Sequence, residues 1–204
     1  MVLSNLIQII IQLIENGKYL IIFLLMVLDS FNFPIPSEAV IPFGGYLAST
    51  KNLNIYLVIF ISALGSLTGS LLSYFFASFI LEIRKKWKIL IKILPEKNIK
   101  KTHEWFEKYG TFSVFWGRMI PAVRTFISLP AGIAKMNLFK FITYTFLGSI
   151  IWSTFLAFLG FKLKENWEVI YFYFSKLEKI IIGIVIILII YFLIKKLKNK
   201  KYFN

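Results

Sequence analysis

Residues 53–81 read LNIYLVIFISALGSLTGSLLSYFFASFIL, an apolar stretch without a single charged side chain. At a rise of about 1.5 Å per residue, a helix of this length crosses the hydrocarbon core of a bilayer. Residues 137–161 form a second long apolar run. A shorter run at 180–194 spans the bilayer if its flanking lysines extend toward the surface. The sequence therefore predicts an all-α integral membrane protein.

The composition of the chain agrees with this prediction. Of its 204 residues, 58% are hydrophobic, and the mean hydropathy is +0.73, well above the usual values for soluble domains. The net charge of +14 comes mostly from lysines beside apolar runs, where they favour anionic lipid headgroups over nucleic acid. There is no cysteine, and the single histidine, His103, lies in a basic amphipathic segment. We therefore expect no metal site and no cofactor.

The distribution of lysine and arginine predicts how the chain is oriented. Segment 82–110 carries nine Lys or Arg residues and the tail at 195–204 carries five lysines, and such basic segments stay in the cytoplasm. A simple crossing by residues 111–135 would place three crossings between these segments and force one of them outside. If 111–135 enters the membrane and returns on the same side, both stay inside. The charges therefore predict a re-entrant hairpin at 111–135.

The segment at 18–50 has the same character and predicts a second hairpin that enters from the opposite face. Prolines and glycines interrupt both segments, as a broken helix in a membrane requires. The residues predicted to turn and pack the hairpins are Pro34, Pro36, Pro42, Gly44 and Gly45 in the first, and Pro121, Pro130 and Gly132 in the second.

The chain then divides into two inverted hairpin-plus-helix repeats, 18–81 and 111–161, an arrangement common among secondary transporters. An extra C-terminal transmembrane helix is expected at about 179–195, followed by the basic cytoplasmic tail at 195–204. We predict one integral membrane domain over residues 1–204, with its core at about 18–161.

Four charged residues lie inside the apolar stretches: Asp29 and Glu38 in the first hairpin, Arg118 and Arg124 in the second. Each would cost about 2.5–3.5 kcal/mol at the bilayer centre, so these residues must pair with one another or meet water. The chain has 21 lysines and only three arginines, yet two of the arginines are here. A guanidinium binds phosphate or carboxylate in a bidentate manner and keeps its proton when buried.

These charges allow two interpretations. In the first, they form a structural ion-pair cluster that holds the hairpins together. In the second, Arg118 and Arg124 bind the phosphate of an anionic headgroup, while Asp29 and Glu38 carry protons or pair with the arginines. Because Arg124 lies past Pro121, nearer the expected hairpin tip, we predict that it is the more sensitive of the two arginines to replacement by lysine.

Two motifs resemble those of the bacterial DedA family, also called the VTT or SNARE-associated Golgi protein family. DSFNFPIPSEAVIPFGGYLA (29–48) is similar to its acidic motif, and GRMIPAVRTFISLPAGIAKM (117–136) is similar to its arginine motif. Asp29 and Glu38 match the two acids, with aspartate where the family more often has glutamate. Arg118 and Arg124 match the two arginines. The resemblance covers about 18–161.

The resemblance implies a multi-pass protein of the bacterial plasma membrane, with a cytoplasmic C-terminus and two opposed re-entrant hairpins. It implies a lipid flippase or scramblase that moves a phospholipid such as phosphatidylethanolamine, or undecaprenyl phosphate, with a dependence on protons. Its partners would be membrane lipids and protons, with a homo-oligomer left open. The alternatives are a membrane-embedded enzyme acting on lipid phosphate and a non-transporting assembly factor. An enzyme is disfavoured because the hairpins supply few nucleophiles, bases or metal ligands.

The predicted topology can be tested with single cysteines, since the chain has none of its own. We expect cysteines at Lys101 and Lys198 to be protected from an impermeant thiol reagent in intact cells, and a cysteine at Asn166 to be labelled. Labelling at Lys198 with protection at Lys101 would contradict the re-entrant hairpin at 111–135.

Overall fold

The computed structural model describes residues 2–33, 35–86, 91, 94–121 and 123–170, together with positions 172, 173, 176, 180 and 183. Within these residues the chain is helical and contains no strand. Three helical stretches are long and apolar enough to cross a membrane, namely Gln8–Ser30, Ile55–Ile83 and Leu138–Asn166. The prediction of an all-α membrane protein is confirmed. Pro34, most of the predicted C-terminal transmembrane helix and the basic tail lie outside the described residues.

Seven α-helices follow one another along the described chain. They are α1 (Val2–Ser30), α2 (Ser37–Ser49), α3 (Ile55–Ile83), α4 (Glu96–Gly117), α5 (Val123–Phe126), α6 (Ser128–Ile133) and α7 (Leu138–Leu163). Helix α1 is kinked at Lys18, whose backbone has φ 46° and ψ −125°. Short 3₁₀ turns at Arg84–Lys86 and Lys164–Asn166 follow α3 and α7.

The first hairpin reverses its direction between α1 and α2. Asn32 adopts a left-handed φ of 68° in this reversal, and Pro36 is the residue immediately before α2. The reversal is fixed to α3 by side-chain hydrogen bonds. The Asn32 amide donates to Ser73 Oγ at 2.9 Å, and Ser73 Oγ donates to the carbonyl of Ser30 at 3.1 Å. The tip of the first hairpin therefore has a defined position against the middle of α3.

The second hairpin is formed by α4 and the short helices α5 and α6. Pro121 lies in the reversal between α4 and α5, and Pro130 lies inside α6. The end of this hairpin is also fixed to α3. Tyr74 Oη donates to the carbonyl of Met136 at 2.6 Å, and Ser78 Oγ donates to the carbonyl of Gly132 at 3.0 Å. Helix α3 thus receives both hairpins.

The two connections that lead into the long helices α3 and α7 share one local structure. Lys51, with φ 63°, follows α2, and Asn54 caps α3 by accepting hydrogen bonds from backbone N–H groups. In the second half Lys135, with φ 49°, follows α6, and Asn137 caps α7 in the same manner. Asparagine is a preferred N-cap because its side-chain oxygen satisfies otherwise unpaired N–H groups.

The helices of the two halves exchange partners. In each half the first arm packs on its own long helix, α1 on α3 and α4 on α7, whereas the return arm packs on the long helix of the other half, α2 on α7 and α6 on α3. The backbones approach closely at these crossings. A Cβ on Gly45 would overlap the carbonyl of Ala157, and a Cβ on Gly132 would overlap the carbonyl of Tyr74. The return arm of each half therefore needs the long helix of the other half as its packing partner.

One expectation about the first hairpin is wrong. Gly44 and Gly45 lie inside α2, as does Pro42, and no described glycine has a positive φ. These glycines therefore do not turn the chain. Gly45 instead allows α2 to approach α7, because no side chain separates the two backbones. The chain reverses earlier, between Ser30 and Ser37.

Candidate functional site

The two hairpin tips bring together three of the four charged residues predicted from the sequence. Asp29 lies in the last turn of α1, Glu38 in the first turn of α2, and Arg124 in α5. Nη2 of Arg124 lies 3.1 Å from Oδ1 and 3.0 Å from Oδ2 of Asp29, and Nε of Arg124 lies 3.6 Å from Oε1 of Glu38. All three residues are buried. They form an ion-pair cluster that joins the two hairpins.

Two further side chains fix the guanidinium of Arg124. Its Nη2 donates to the hydroxyl of Ser37, the first residue of α2. Its Cζ lies over the ring of Trp152 on α7, 5.6 Å from the ring centroid. Cation–π contacts of this kind contribute up to about 2 kcal/mol when they are shielded from water. Arg124 is thus held by residues from α1, α2 and α7.

Arg118 is placed differently from Arg124. It follows α4 directly and is only 3% exposed. Its Nη2 donates to Ser128 Oγ at 2.7 Å, and its side chain lies against Gly148 of α7. Within the described part of the chain its Nε has no hydrogen-bond partner, and its guanidinium forms no ion pair. This buried cation therefore has donors to spare, and the favourable partner for such donors is an anion.

The charges are thus shared unequally between the two arginines. Both acids lie within 4 Å of Arg124, whereas no carboxylate among the described residues lies within 4 Å of Arg118. A purely structural cluster would gain most from pairing both arginines, because an uncompensated buried charge is strongly destabilising. The arrangement instead combines a closed ion pair with a second guanidinium beside it.

Sequence reasoning did not assign Ser37, Ser128 and Trp152 to the surroundings of the arginines. Trp152 carried a usable signal, because it lies in the middle of α7, whereas tryptophan in membrane helices is enriched at the interfaces. The serines carried no such signal, because many other serines in α3 and α7 have the same local sequence character.

Two cavities lined by described residues lie at the ends of the long helices. One, of about 480 Å³, is lined by residues that include Tyr19, Lys51 and Asn54. The other, of about 330 Å³, is lined by residues that include Arg84 and Lys135. None of Asp29, Glu38, Arg118 and Arg124 lines either cavity. The ion-pair cluster and the adjacent Arg118 are closed to the surroundings, because these four residues are between 3% and 7% exposed.

Comparison with known proteins identifies the family. The VTT domain matches residues 35–162, a range that contains α2, the whole second hairpin and nearly all of both long helices. The chain belongs to the VTT domain family, also called the DedA family. This confirms the resemblance stated from the two motifs.

Relatives of this VTT domain protein match it over most of its length. The alkaline phosphatase-like protein of Lactococcus lactis subsp. lactis is 36% identical over 208 residues, which cover 96% of each chain. Undecaprenyl phosphate transporter A of Staphylococcus aureus is 32% identical over 202 residues, covering 95% of this chain and 98% of that protein. Protein DedA of Escherichia coli is 25% identical over 179 residues, covering 82% of this chain and 75% of that protein. No solved structure gives a significant match.

Proposed function

We propose that this protein is a membrane lipid transporter that moves a phosphate-bearing lipid between the two leaflets of the bacterial plasma membrane. The observation that carries the proposal is the guanidinium of Arg118, which is buried, has an Nε without a partner in the described residues, and lies beside a closed ion-pair cluster. A phosphate oxygen matches such donors in charge and geometry. Moving a headgroup requires a polar path through hydrocarbon and no covalent chemistry.

Undecaprenyl phosphate is the lipid that the comparisons favour. The Staphylococcus aureus relative carries the name undecaprenyl phosphate transporter A, and it aligns with this chain over nearly the whole of both sequences. A relative from Bacillus subtilis with the same name is 35% identical over 167 residues. A phospholipid such as phosphatidylethanolamine remains the second candidate, because its phosphate presents the same oxygens to Arg118.

The architecture that we propose is a single membrane domain with two opposed re-entrant hairpins related as inverted repeats. Its support is the exchanged packing of the two halves and the matching connections at Lys51 and Lys135. The return arm α2, of 13 residues, is about 20 Å long at 1.5 Å per residue, shorter than a hydrocarbon core of about 30 Å. The charge distribution supports a cytoplasmic C-terminus.

We propose that protonation of Asp29 and Glu38 controls whether Arg124 can bind the lipid phosphate. With Asp29 and Glu38 ionised, both carboxylates hold Arg124, as the structure places them. If the acids take up protons, their attraction for the guanidinium falls, and Arg124 becomes free to join Arg118 on the phosphate. Loss of the acidic protons would return Arg124 to the carboxylates and release the headgroup. From the sequence we expected both arginines to bind the phosphate and Arg124 to be the more sensitive to lysine; we now propose that Arg118 is the first phosphate ligand and that Arg124 joins it after the acids are protonated.

We propose that the protein is not an enzyme, although the Lactococcus lactis relative is named alkaline phosphatase-like. A phosphatase needs an activated nucleophile or metal ligands. Among the described residues no group of three or more His, Cys, Asp or Glu side chains is placed to hold a metal ion. The hydroxyl of Ser37 accepts a hydrogen bond from Arg124, a cation that cannot serve as a general base. These features support transport over hydrolysis.

Replacing the two arginines by lysine separates their roles. We expect Arg118→Lys to insert normally and to melt within a few degrees of the parent. Its transport in vesicles should fall by about five- to one-hundred-fold, because a point charge replaces a two-pronged contact worth roughly 1–3 kcal/mol. Arg124→Lys should lower thermal stability more than Arg118→Lys, because it weakens contacts to Asp29, Glu38 and Ser37 together.

Arg84 provides a matched control, because it is the one arginine of the three that lies away from the hairpin tips. It pairs with Glu96 at 2.7 Å on the connection between α3 and α4, so Arg84→Lys should leave transport unchanged. The measurement is translocation of undecaprenyl phosphate by purified protein in liposomes, beside thermal unfolding of the same samples in detergent. Normal transport by Arg118→Lys would contradict the phosphate role of Arg118.

The acids test the proposed proton dependence. Asp29→Asn and Glu38→Gln keep the shape of each side chain and remove its titration. We expect transport by the parent to change when a pH gradient is imposed across the vesicle membrane, and we expect each variant to lose that response. A response of normal size in both variants would show that these carboxylates do not couple protons to transport.

A further inference from the structure

Helix α3 carries a row of buried hydroxyl groups along one side. The row consists of Ser62, Ser66, Ser70 and Ser73, which are each at most 4% exposed. Their spacing of three or four residues places them on one face of the helix. None of these serines was needed to explain the ion pairs at the hairpin tips.

Helix α7 carries a matching row. Thr145, Ser149 and Ser153 are spaced by four residues and are each at most 5% exposed. Helices α3 and α7 pack against each other, and the rings of Tyr74 and Phe141 meet with centroids 4.9 Å apart. The two rows are therefore buried on helices that pack together, and we refer to the two rows jointly as the seam.

Both rows extend along their helices past the level of the ion-pair cluster. Gly69, which lies between Ser66 and Ser70 of the α3 row, is next to Ser30 at the tip of the first hairpin. Gly148, which lies between Thr145 and Ser149 of the α7 row, is next to Arg118 at the tip of the second. Hydroxyls occur on both sides of each of these glycines, so the seam extends from the cluster toward both ends of the long helices.

Three of the hydroxyls have no hydrogen-bond partner within the described residues: Ser62, Thr145 and Ser153. A helical hydroxyl normally avoids this by donating to the carbonyl four residues earlier. Thr68 and Thr154, on the same two helices, do so at 2.9 and 2.6 Å. These three hydroxyls are thus buried donors that the described part of the chain does not satisfy.

Arg118 connects this seam to the cluster and is the independent sign of a ligand. Its Nε is a buried donor without a partner in the described chain, and its side chain lies against Gly148, which stands between Thr145 and Ser149. Arg118, with its unpartnered Nε, therefore lies beside the hydroxyl row of α7. An anionic group with several oxygens could accept hydrogen bonds from Arg118 and from one neighbouring hydroxyl at a time as it moves along the rows.

We infer that the hydroxyl rows of α3 and α7 form the track along which the phosphate headgroup of the lipid passes to and from Arg118. This inference rests on the proposed transport function and deepens it by assigning the route. Neutral hydroxyls suit a route better than further cations, because they donate hydrogen bonds to phosphate oxygens without holding the anion too tightly for it to leave.

Single cysteines test the track directly in the full chain, which has no native thiol. Ser62→Cys and Ser153→Cys place a thiol in the track. Ile22→Cys and Ile41→Cys place one at fully buried apolar positions of α1 and α2, away from both hydroxyl rows, and both sites are larger than cysteine. The probe is a small sulfonate-bearing methanethiosulfonate, an anion that cannot cross lipid, applied to protein in intact vesicles.

We expect the track cysteines to react at least about tenfold faster than the two controls, since only they line a route for an anion. Equal, slow reaction at all four positions in a folded protein that transports lipid would overturn the track and leave the proposed function intact. Fast reaction at the track positions in a protein that moves no lipid would keep the track and contradict the proposed function.

A second pair of variants measures the hydroxyl groups themselves. Thr145→Val removes a hydroxyl of the seam, and Thr154→Val removes one that already donates to Ile150. We expect Thr145→Val to slow lipid translocation several-fold without loss of thermal stability, because no hydrogen bond within the described protein is lost. Thr154→Val should transport normally. Unchanged transport by Thr145→Val, or equal losses in both variants, would count against the track.

Discussion

A charged side chain cannot lie alone in hydrocarbon, and the pairing of Arg124 with Asp29 meets this constraint for these two residues at the hairpin tips. The two residues are 95 positions apart in the sequence, and their contact joins the tip of one hairpin to the tip of the other. Once the tips meet, α2 lies against α7 and α6 lies against α3, and Gly45 and Gly132 are required where the backbones approach. The ion pair and the exchanged packing are thus two aspects of one arrangement.

The two arginines differ in how many contacts their guanidinium groups make, and this difference is the basis of the proposed phosphate binding. Arg124 has two carboxylates, a hydroxyl and an indole ring around it. Arg118 has one hydrogen bond, to Ser128, among the contacts described for its guanidinium. Arg118 can therefore donate hydrogen bonds to a phosphate while the ion pairs of Arg124 stay intact. Protonation of the acids then offers a way to release the second cation to the ligand.

Much of this could be predicted from the sequence, because long apolar runs and buried charges are strong signals. The long helices, the family and the meeting of Asp29 and Glu38 with the second hairpin followed from them. The sequence did not reveal which arginine takes the acids, because that depends on a few ångströms of placement between distant segments. It also misplaced the role of Gly44 and Gly45, where close packing, of Gly44 against Val58 and Ile22 and of Gly45 against Ala157, overrides the low helix propensity of glycine.

The central claim is that Arg118 binds the lipid phosphate while Arg124 is held by the acids. Ligand-induced thermal stabilisation tests it most directly, because a ligand that binds only the folded protein raises the unfolding temperature. Undecaprenyl phosphate and the phosphate-free alcohol undecaprenol would be added to the purified protein in detergent at the same concentrations. The account predicts that the phosphate raises the unfolding temperature of the parent more than the alcohol does, and that Arg118→Lys abolishes this difference. An equal rise with both lipids, or a difference that survives in Arg118→Lys, would contradict it.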